Sequence, residues 1–261
     1  VRECPAKAIR ISTGQAEIIA ERCIACGNCV RVCSQGAKQP VTSIDKVDAL
    51  LASGRQVAAC VAPSFPAEFG EIDYQQLVGM IRRLGFRRVL EVSFGADLVA
   101  REYRELLTRP DEHRYIATSC PAIIGYVQRY YPELIDCLAP IVSPMIATAR
   151  AARQVYGSSA AVVFIGPCIA KKAEADSPSL AGDVDAVLTF AELREMFGRA
   201  GYTADTVEPS EFDSPHGGIG GIFPVGRGML QAASIQEDLM TGEVVATQGR
   251  THVVEAIKEF A

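Results

Sequence analysis

The sequence predicts an α/β fold in which mostly parallel sheets are covered by helices, preceded by a small α+β module that is rich in cysteine. From about residue 45 onwards, helical and strand patterns alternate, which is typical of parallel sheets with right-handed crossovers. The predicted strands are short, continuously apolar runs, as expected when helices cover both sheet faces. Five of the nine cysteines lie within the first 33 residues. We therefore predict two domains, residues 1–40 and 41–261.

The pattern of apolar residues predicts the elements of the larger domain one by one. Apolar runs such as 57–62, 89–92 and 161–165 predict strands, which we place at 56–62, 87–93, 114–118, 160–166, 184–188 and near 243–248. Amphipathic spacing predicts helices at 45–53, 73–84, 96–108, 122–131, 143–156, 190–200, near 227–235 and at 250–260. Residues 217–228 are rich in glycine, but they lack the strand followed by G-x-G-x-x-G that a dinucleotide site requires.

Composition excludes several functional classes. The 261 residues carry a net charge of −5 and a pI near 5.4, which is not the basic footprint of a nucleic-acid-binding protein. The longest apolar runs fall far short of the ~20 residues that a membrane span needs. No secretory signal pattern opens the sequence. We expect a cytoplasmic protein that binds neither nucleic acid nor membrane.

The spacing of the N-terminal cysteines indicates an iron–sulfur site. Cys23, Cys26, Cys29 and Cys33 form the C-x2-C-x2-C-x3-C run of bacterial ferredoxins, and Cys4 with the following proline forms the C-P pair that ends another such run. Three thiolates two residues apart surround one cubane, and the fourth cysteine of each run binds the other cluster. The sequence therefore predicts one 4Fe–4S cluster held by Cys4, Cys23, Cys26 and Cys29.

Cys33 would then bind a second ferredoxin cluster, whose other ligands are expected upstream of Val1. In the chain alone, Cys33 can equally be a free thiol. A disulfide framework is typical of small secreted domains, which this chain does not resemble. Zinc sites usually have two cysteine pairs separated by a longer spacer, which differs from this triple.

Four segments after residue 90 form recognisable motifs. They are Ser93-Phe-Gly-Ala-Asp97, Thr118-Ser-Cys120-Pro-Ala122, Gly166-Pro-Cys168-Ile-Ala-Lys171-Lys-Ala-Glu174 and Asp183-Val-Asp-Ala-Val-Leu-Thr189. These segments resemble the catalytic domain of FeFe hydrogenases, and the similarity extends from about Val57 to the C-terminus. The resemblance implies a two-lobed domain in which a 4Fe–4S cubane is bridged to a di-iron unit carrying CO and cyanide.

The resemblance also implies roles for individual residues. Cys120 and Cys168 match two ligands of the active-site cubane. Lys171 matches the residue that donates a hydrogen bond to a cyanide of the di-iron unit, and Glu174 matches the residue that supports this lysine. An ammonium is a compact donor suited to a buried anionic ligand.

Three features of the sequence bear on whether the protein is an active hydrogenase. Ser119 stands where catalytic members have a proton-relay cysteine, and a hydroxyl is much less acidic than a thiol, so a slower relay is expected. Glu102 and Glu105 match the outer relay glutamates and share one helix face at i, i+3. No cysteine follows Cys168, so the third motif, which supplies two further thiolates, is absent. We expect that the chain is truncated at both ends and is inactive alone.

The short motif around Ser119 resembles that of sensory hydrogenases, which are fused to PAS, kinase or phosphatase domains. The first hypothesis is therefore a module of low activity that senses hydrogen or redox state, with H2 and protons as ligands and a redox partner or fused signalling domain as partner. The second is a catalytic hydrogenase, 2H⁺ + 2e⁻ ⇌ H₂. The third is an electron-transfer or cluster-carrying protein on the same fold without a di-iron unit.

The remaining candidates have simpler interpretations. Cys60 lies in an apolar strand and Cys137 in an apolar segment, so both are predicted to be small buried hydrophobic residues. His216 lies beside the glycine cluster and could line a pocket.

Overall fold

The computed structural model describes residues 2–108, 113–236 and 244–261. The strands, in chain order, are β1 Ile9–Ser12, β2 Gln15–Ile18, β3 Val57–Val61, β4 Arg88–Glu91, β5 Ala161–Gly166 and β6 Ala186–Thr189. The α-helices are α1 Asn28–Arg31, α2 Ile44–Ala52, α3 Phe65–Glu68, α4 Tyr74–Arg83, α5 Val92–Leu107, α6 Pro121–Tyr130, α7 Pro144–Tyr156, α8 Ala170–Ala175, α9 Phe190–Ala200, α10 Gly228–Ala233 and α11 Arg250–Phe260. Short 3₁₀ helices cover Ala20–Arg22, Pro132–Cys137, Pro178–Leu180, Ala204–Thr206 and Ile219–Ile222.

A four-stranded parallel sheet forms the centre of the larger domain. Its strand order is β4-β3-β5-β6, and the central strand β3 pairs Ala58 with Arg88 on one side and with Val162 on the other. Every residue of β3, β5 and β6 is buried. These continuously apolar strands confirm the prediction of an α/β sheet covered on both faces.

The strand order creates a topological switch point at the carboxyl edge of this sheet. From β3 the chain proceeds to β4 on one side, whereas β5 lies on the other side of β3 and leads to β6. Connections leaving β3 and β5 in opposite directions create the switch point at which open α/β sheets bind ligands. Cys168 follows β5 at this edge.

The second lobe is organised around α5, which packs against α7, a helix whose buried side chains belong to the core of the sheet. At their crossing, a Cβ atom on Gly95 would lie 2.2 Å from Thr148 Oγ1 and 2.4 Å from the Pro144 carbonyl oxygen. A glycine is therefore required for the two helices to approach this closely. A separate hydrophobic cluster, which includes Val99 and Ala233, lies between α5 and α10.

Two predicted strands are wrong in the described residues. At 114–118 there is only a single parallel bridge between Ile116 and Leu138, because the Thr118 N–H donates to the Tyr103 hydroxyl at 2.8 Å and not to a neighbouring strand. Residues 244–248 form no strand, and Val245 there is exposed. Residue 243 lies outside the described part.

The structure also differs from the prediction in the start of one helix and in several short elements that were not predicted. Strand β4 ends at Glu91 and α5 begins at Val92, four residues before the predicted start at 96, because the chain passes from strand to helix without a loop. The hairpin of β1 and β2 and the short helices α1, α3 and α8 were not predicted individually. None of the described helices combines the length and the apolar composition that crossing a membrane requires.

Candidate metal centres

The four cysteines predicted to form the first cluster site surround one small cavity of about 30 Å³, whose other walls include Pro5, Ala8, Ile9, Ile18 and Ile24. The hairpin and the turn before α1 bring them together although Cys4 is 19 residues from the next cysteine, Cys23. Backbone N–H groups point at two of the sulfurs: Ala8 donates to Cys4 Sγ at 3.3 Å and Ala25 to Cys23 Sγ at 3.4 Å. Such N–H···S contacts are typical of iron–sulfur ligands.

The chemistry of these sulfurs fits a cluster. Cys26 is partly open to solvent, yet burial of its thiol raises the pKa, and the neighbouring Cys4, Cys29 and Cys23 raise it further while the Asn28 N–H opposes them. A buried thiol such as Cys26, whose charged form its surroundings disfavour, is stabilised as a thiolate by a cationic centre. In the described residues, no three His, Cys, Asp or Glu side chains are grouped to hold a single metal ion.

Cys33 stands apart from these four and does not line their cavity. Its sulfur faces the backbone N–H groups of Ala37 and Gln35, with smaller contributions from Lys38 and Gly36, and these donors lower its pKa. A thiolate would be well accommodated here. The role of Cys33 as a ligand of a second cluster stays a prediction.

Cys120 and Cys168 approach each other near the switch point of the sheet. Cys120 is the residue before α6, and Pro121 starts that helix, while Cys168 lies between β5 and α8. Burial raises the pKa of Cys168, the nearby Cys120 raises it further, and the Lys171 ammonium opposes this shift. The N–H groups of Ala170 and Lys171 point at the Cys168 sulfur. Two thiols and an ammonium therefore converge in one place.

A buried ion pair supports this convergence. Lys171 Nζ lies 2.6 Å from Glu174 Oε2, and the two residues are 8% and 7% exposed. The same ammonium donates to the Ser119 carbonyl oxygen at 3.3 Å. Lys171 is thereby held between the two cysteine segments. Its role as a donor to a cyanide of a di-iron unit stays a prediction.

The backbone before Cys120 is fixed by two buried hydroxyl groups that the sequence reasoning missed. Thr118 Oγ1 is within hydrogen-bonding distance of the Tyr103 hydroxyl at 3.1 Å and donates to the Ile141 carbonyl oxygen at 2.6 Å. The next side chain, Ser119, donates to Met229 Sδ at 3.8 Å. The signal for Tyr103 was its position on the apolar face of α5, which indicates burial but not its partner.

Comparison with known proteins identifies the family. Residues 55–260 match the family described as "Iron only hydrogenase large subunit, C-terminal domain", and residues 16–39 match "4Fe-4S binding domain". The chain belongs to the iron-only hydrogenase large-subunit family. It also contains a 4Fe–4S binding motif, which implies iron–sulfur cofactors.

The relatives of this hydrogenase-family chain include both hydrogenases and an Fe–S cluster assembly factor. It is 31% identical to iron hydrogenase 1 of Clostridium pasteurianum over 73% of its own length and 38% of that protein. It is 24% identical to a cytosolic Fe–S cluster assembly factor, NAR1, of Yarrowia lipolytica over 69% of its length and 43% of that protein. A solved FeFe hydrogenase variant from Chlamydomonas reinhardtii superposes with a TM-score of 0.62 at 29% identity, covering 74% of this chain and 57% of that one. The chain thus spans about two fifths of these curated relatives.

The two glutamates proposed for an outer relay lie on the exposed side of α5. Glu102 and Glu105 face Arg101 at 3.6 and 3.8 Å, and their side chains are 51% and 62% exposed. They do not contact Ser119 among the hydrogen bonds of the described residues. Tyr103 between them points inward. Their relay role stays a prediction.

Asp97, in the first hydrogenase-like segment, holds the glycine cluster of the second lobe. Its carboxylate accepts from the N–H groups of Gly218 at 2.5 Å and Gly220 at 2.6 Å. A Cβ atom on Gly217 would lie 2.0 Å from Ser93 Oγ, so a larger residue there would collide with α5. Gly217 is therefore required for the close packing of this segment on α5.

A second buried charge network fixes helix α8 behind Cys168. Lys172 Nζ lies 2.8 Å from Glu192 Oε1 and donates to Ser43 Oγ at 2.7 Å. Burial opposes the charge of Glu192, but Lys172 and the N–H groups of Thr189 and Ser43 outweigh it and lower its pKa. Helix α8 is thereby tied to α9 and to the start of α2.

The remaining candidates behave largely as predicted. Cys60 is fully buried in β3, and burial raises the pKa of its thiol to about 12. Cys137, at the end of the 3₁₀ helix Pro132–Cys137, is only half-buried beside the hydrophobic cluster that contains Tyr126, so the prediction of a buried residue is wrong there. His216 Nδ1 lies 3.7 Å from Glu91 Oε2 and lines an open groove of about 880 Å³. A function for the groove that His216 lines stays a prediction.

Proposed function

We propose that this chain is part of an iron–sulfur redox protein in which an N-terminal 4Fe–4S cluster exchanges electrons with a hydrogen-responsive site at Cys120 and Cys168, and that the whole protein senses hydrogen or redox state. The observation that carries the sensory part is Ser119. Its hydroxyl stands beside Cys120, where the family resemblance implies a relay thiol, and it donates to Met229 Sδ.

The residues at this site fit an iron–sulfur group and its anionic ligands. Cys120 and Cys168 supply thiolates, and two further thiolates would have to come from outside the described residues. Lys171 supplies a positive charge whose position is fixed by Glu174. The bound group would supply the redox chemistry with hydrogen. The protein's part is to hold that group, to orient Lys171 and to limit proton delivery through Ser119, since a hydroxyl is a weak relay at neutral pH.

Two other functions remain as candidates. A catalytic hydrogenase is supported by the similarity to iron hydrogenase 1, and Ser119 would then be a tolerated replacement. A cluster-carrying protein is supported by the similarity to the cytosolic Fe–S cluster assembly factor, and it would need no di-iron unit. A redox partner or a fused PAS, kinase or phosphatase domain and a cytoplasmic location belong to the sensory proposal.

Exposure to hydrogen separates these functions. In the full-length protein, matured with its di-iron unit, we expect H2 at neutral pH to reduce the N-terminal cluster, seen as loss of visible absorbance, while hydrogen evolution with an artificial electron donor stays low. Rapid evolution would favour the catalytic hydrogenase. An N-terminal cluster that dithionite reduces and H2 does not would contradict the proposal and favour the cluster-carrying protein.

A further inference from the structure

Cys4 is the ligand of the N-terminal site that comes from a separate segment of the chain. The other three predicted ligands share one short loop, residues 23–29, whereas Cys4 precedes the hairpin of β1 and β2. A tight turn follows it, in which the Lys7 N–H donates to the Cys4 carbonyl oxygen at 3.2 Å. The next N–H, that of Ala8, donates to Cys4 Sγ at 3.3 Å. A group that fixes this turn therefore also fixes the Cys4 sulfur.

One side chain of the hydrogenase-family domain reaches this turn. Helix α6 ends at Tyr130, whose hydroxyl donates to the Ala6 carbonyl oxygen at 2.5 Å. Ala6 lies within the turn after Cys4 and is only 1% exposed, so its carbonyl group has little access to water. The Arg22 carbonyl oxygen, directly before Cys23, lies 3.2 Å from the same hydroxyl. Tyr130 therefore stands between the two segments that meet at the four-cysteine cavity.

The segment before Cys23 keeps other bonds when the Tyr130 hydroxyl is removed. Arg129 Nε donates to the Glu21 carbonyl oxygen at 3.1 Å, and the Cys23 N–H donates to the backbone of the short 3₁₀ helix before it. The turn after Cys4 depends more on Tyr130, because a shielded carbonyl oxygen that loses its donor destabilises the conformation that buries it.

Asn28 supports the Cys4 segment from inside the module. Its side-chain amide donates to the Glu3 carbonyl oxygen at 2.6 Å, and the residue is buried. This bond holds the chain directly before Cys4, whereas Tyr130 holds the turn after it. Cys4 is thus supported on both sides, from its own module by Asn28 and from the larger domain by Tyr130.

We propose that Tyr130 is a positioning residue of the N-terminal cluster site, through which the hydrogenase-family domain holds Cys4 in place as a ligand. The inference rests on the part of the proposed function that places a 4Fe–4S cluster at this site. Residues that orient metal ligands from outside the ligand set influence how tightly the metal is held. The larger domain thereby helps to retain the cluster of the smaller one, and the iron bound by Cys4 leaves first when the hydroxyl is missing.

Tyr156 provides a matched control for the loss of a tyrosine hydroxyl. Its hydroxyl also donates to a backbone carbonyl oxygen, that of Ser214, but Tyr156 ends α7, which packs on the core of the sheet. Tyr130→Phe and Tyr156→Phe each remove one oxygen atom and keep the ring. The ring at position 130 retains its packing against Tyr126, at 5.1 Å between the ring centroids.

The test uses residues 1–261, reconstituted anaerobically with iron and sulfide, as the parent and the two variants. Ferricyanide takes one electron from the 4Fe–4S²⁺ core and is reduced to ferrocyanide, and the core releases one Fe²⁺ and remains as 3Fe–4S⁺. The readouts are the rate at which the paramagnetic 3Fe–4S⁺ signal appears, the order in which the four ligand cysteines become alkylated, identified by mass spectrometry, and the free energy of unfolding in urea. A role in packing alone would change the unfolding and leave the other two readouts at the parent values.

We expect Tyr130→Phe to form the 3Fe–4S⁺ cluster about tenfold faster than the parent, the scale on which supporting groups affect metal sites. Cys4 should be alkylated first of the four ligands, and Tyr156→Phe should match the parent in both readouts. Complete loss of iron from Tyr130→Phe, with unfolding like that of the iron-free parent, would support the inference as well. A parent-like rate in Tyr130→Phe, or release of another ligand before Cys4, would overturn it. Failure of the proposed function is recognised separately, because the parent itself would then bind no cluster.

Discussion

Replacing Ser119 by cysteine is expected to raise hydrogen turnover of the full-length, matured protein by about tenfold or more, the scale of a well-placed proton transfer. A thiol is far more acidic than a hydroxyl and passes a proton more readily at neutral pH. The backbone around this position is already fixed. Lys171 donates to the Ser119 carbonyl oxygen, and the preceding residue, Thr118, is held by the hydrogen bond from its hydroxyl group to the Ile141 carbonyl oxygen. The measurement is hydrogen evolution from reduced methyl viologen.

A matched control is Ser159→Cys, which adds a thiol on the exposed turn before β5, at the sheet edge opposite Cys168. It should leave turnover unchanged. If Ser119→Cys also leaves turnover unchanged while the infrared bands of CO and cyanide show the di-iron unit to be present, the relay is not what limits activity. The explanation of low activity through Ser119 would then be wrong.

Removing the carboxylate of Glu174 should be among the most destabilising changes in the chain. Glu174→Ala leaves the Lys171 ammonium buried without its ion-pair partner, and breaking a buried pair in this way costs about 3–5 kcal/mol. The residual bond to the Ser119 carbonyl oxygen, at 3.3 Å, compensates only part of this loss. The free energy of unfolding in urea measures the effect.

The control for this prediction is Glu195→Ala, which removes the partner of Arg199 in an exposed i, i+4 pair. Exposed pairs contribute about 0–1 kcal/mol, so this variant should unfold close to the parent. Replacing Lys171 and Glu174 together by apolar residues should recover much of the stability, since no unpaired charge remains. A cost below about 1 kcal/mol for Glu174→Ala would contradict the importance of the buried pair.

The sequence predicted those parts of the fold that depend on local patterns. The apolar runs at β3, β5 and β6 became buried parallel strands, and the cysteine spacing placed four thiols around one cavity. Local patterns failed where a distant partner decides the structure. The segment before Cys120 was predicted as a strand, but the Tyr103 hydroxyl takes the Thr118 N–H.

Contacts between segments that are distant in the chain likewise could not be predicted from the sequence. The position of Gly27 between Cys26 and Cys29 indicates a turn in a ligand loop. Nothing near it in the sequence indicates that Ile169 packs against it. Asp97 belongs to a segment recognised by resemblance, yet its bonds to the glycine cluster appear only once α5 and residues 217–220 are packed together. Glu102 and Glu105 matched by spacing, although the structure places both on the exposed side of α5.

Iron and sulfide analysis tests most directly the central claim that Cys4, Cys23, Cys26 and Cys29 hold one 4Fe–4S cluster. For residues 1–261 reconstituted anaerobically, we expect about four irons and four sulfides per chain. Cys26→Ala should lose them, whereas Cys33→Ser should retain them because Cys33 lies outside the cavity. Fewer than about three irons per chain, or full retention of iron in Cys26→Ala, would contradict the account.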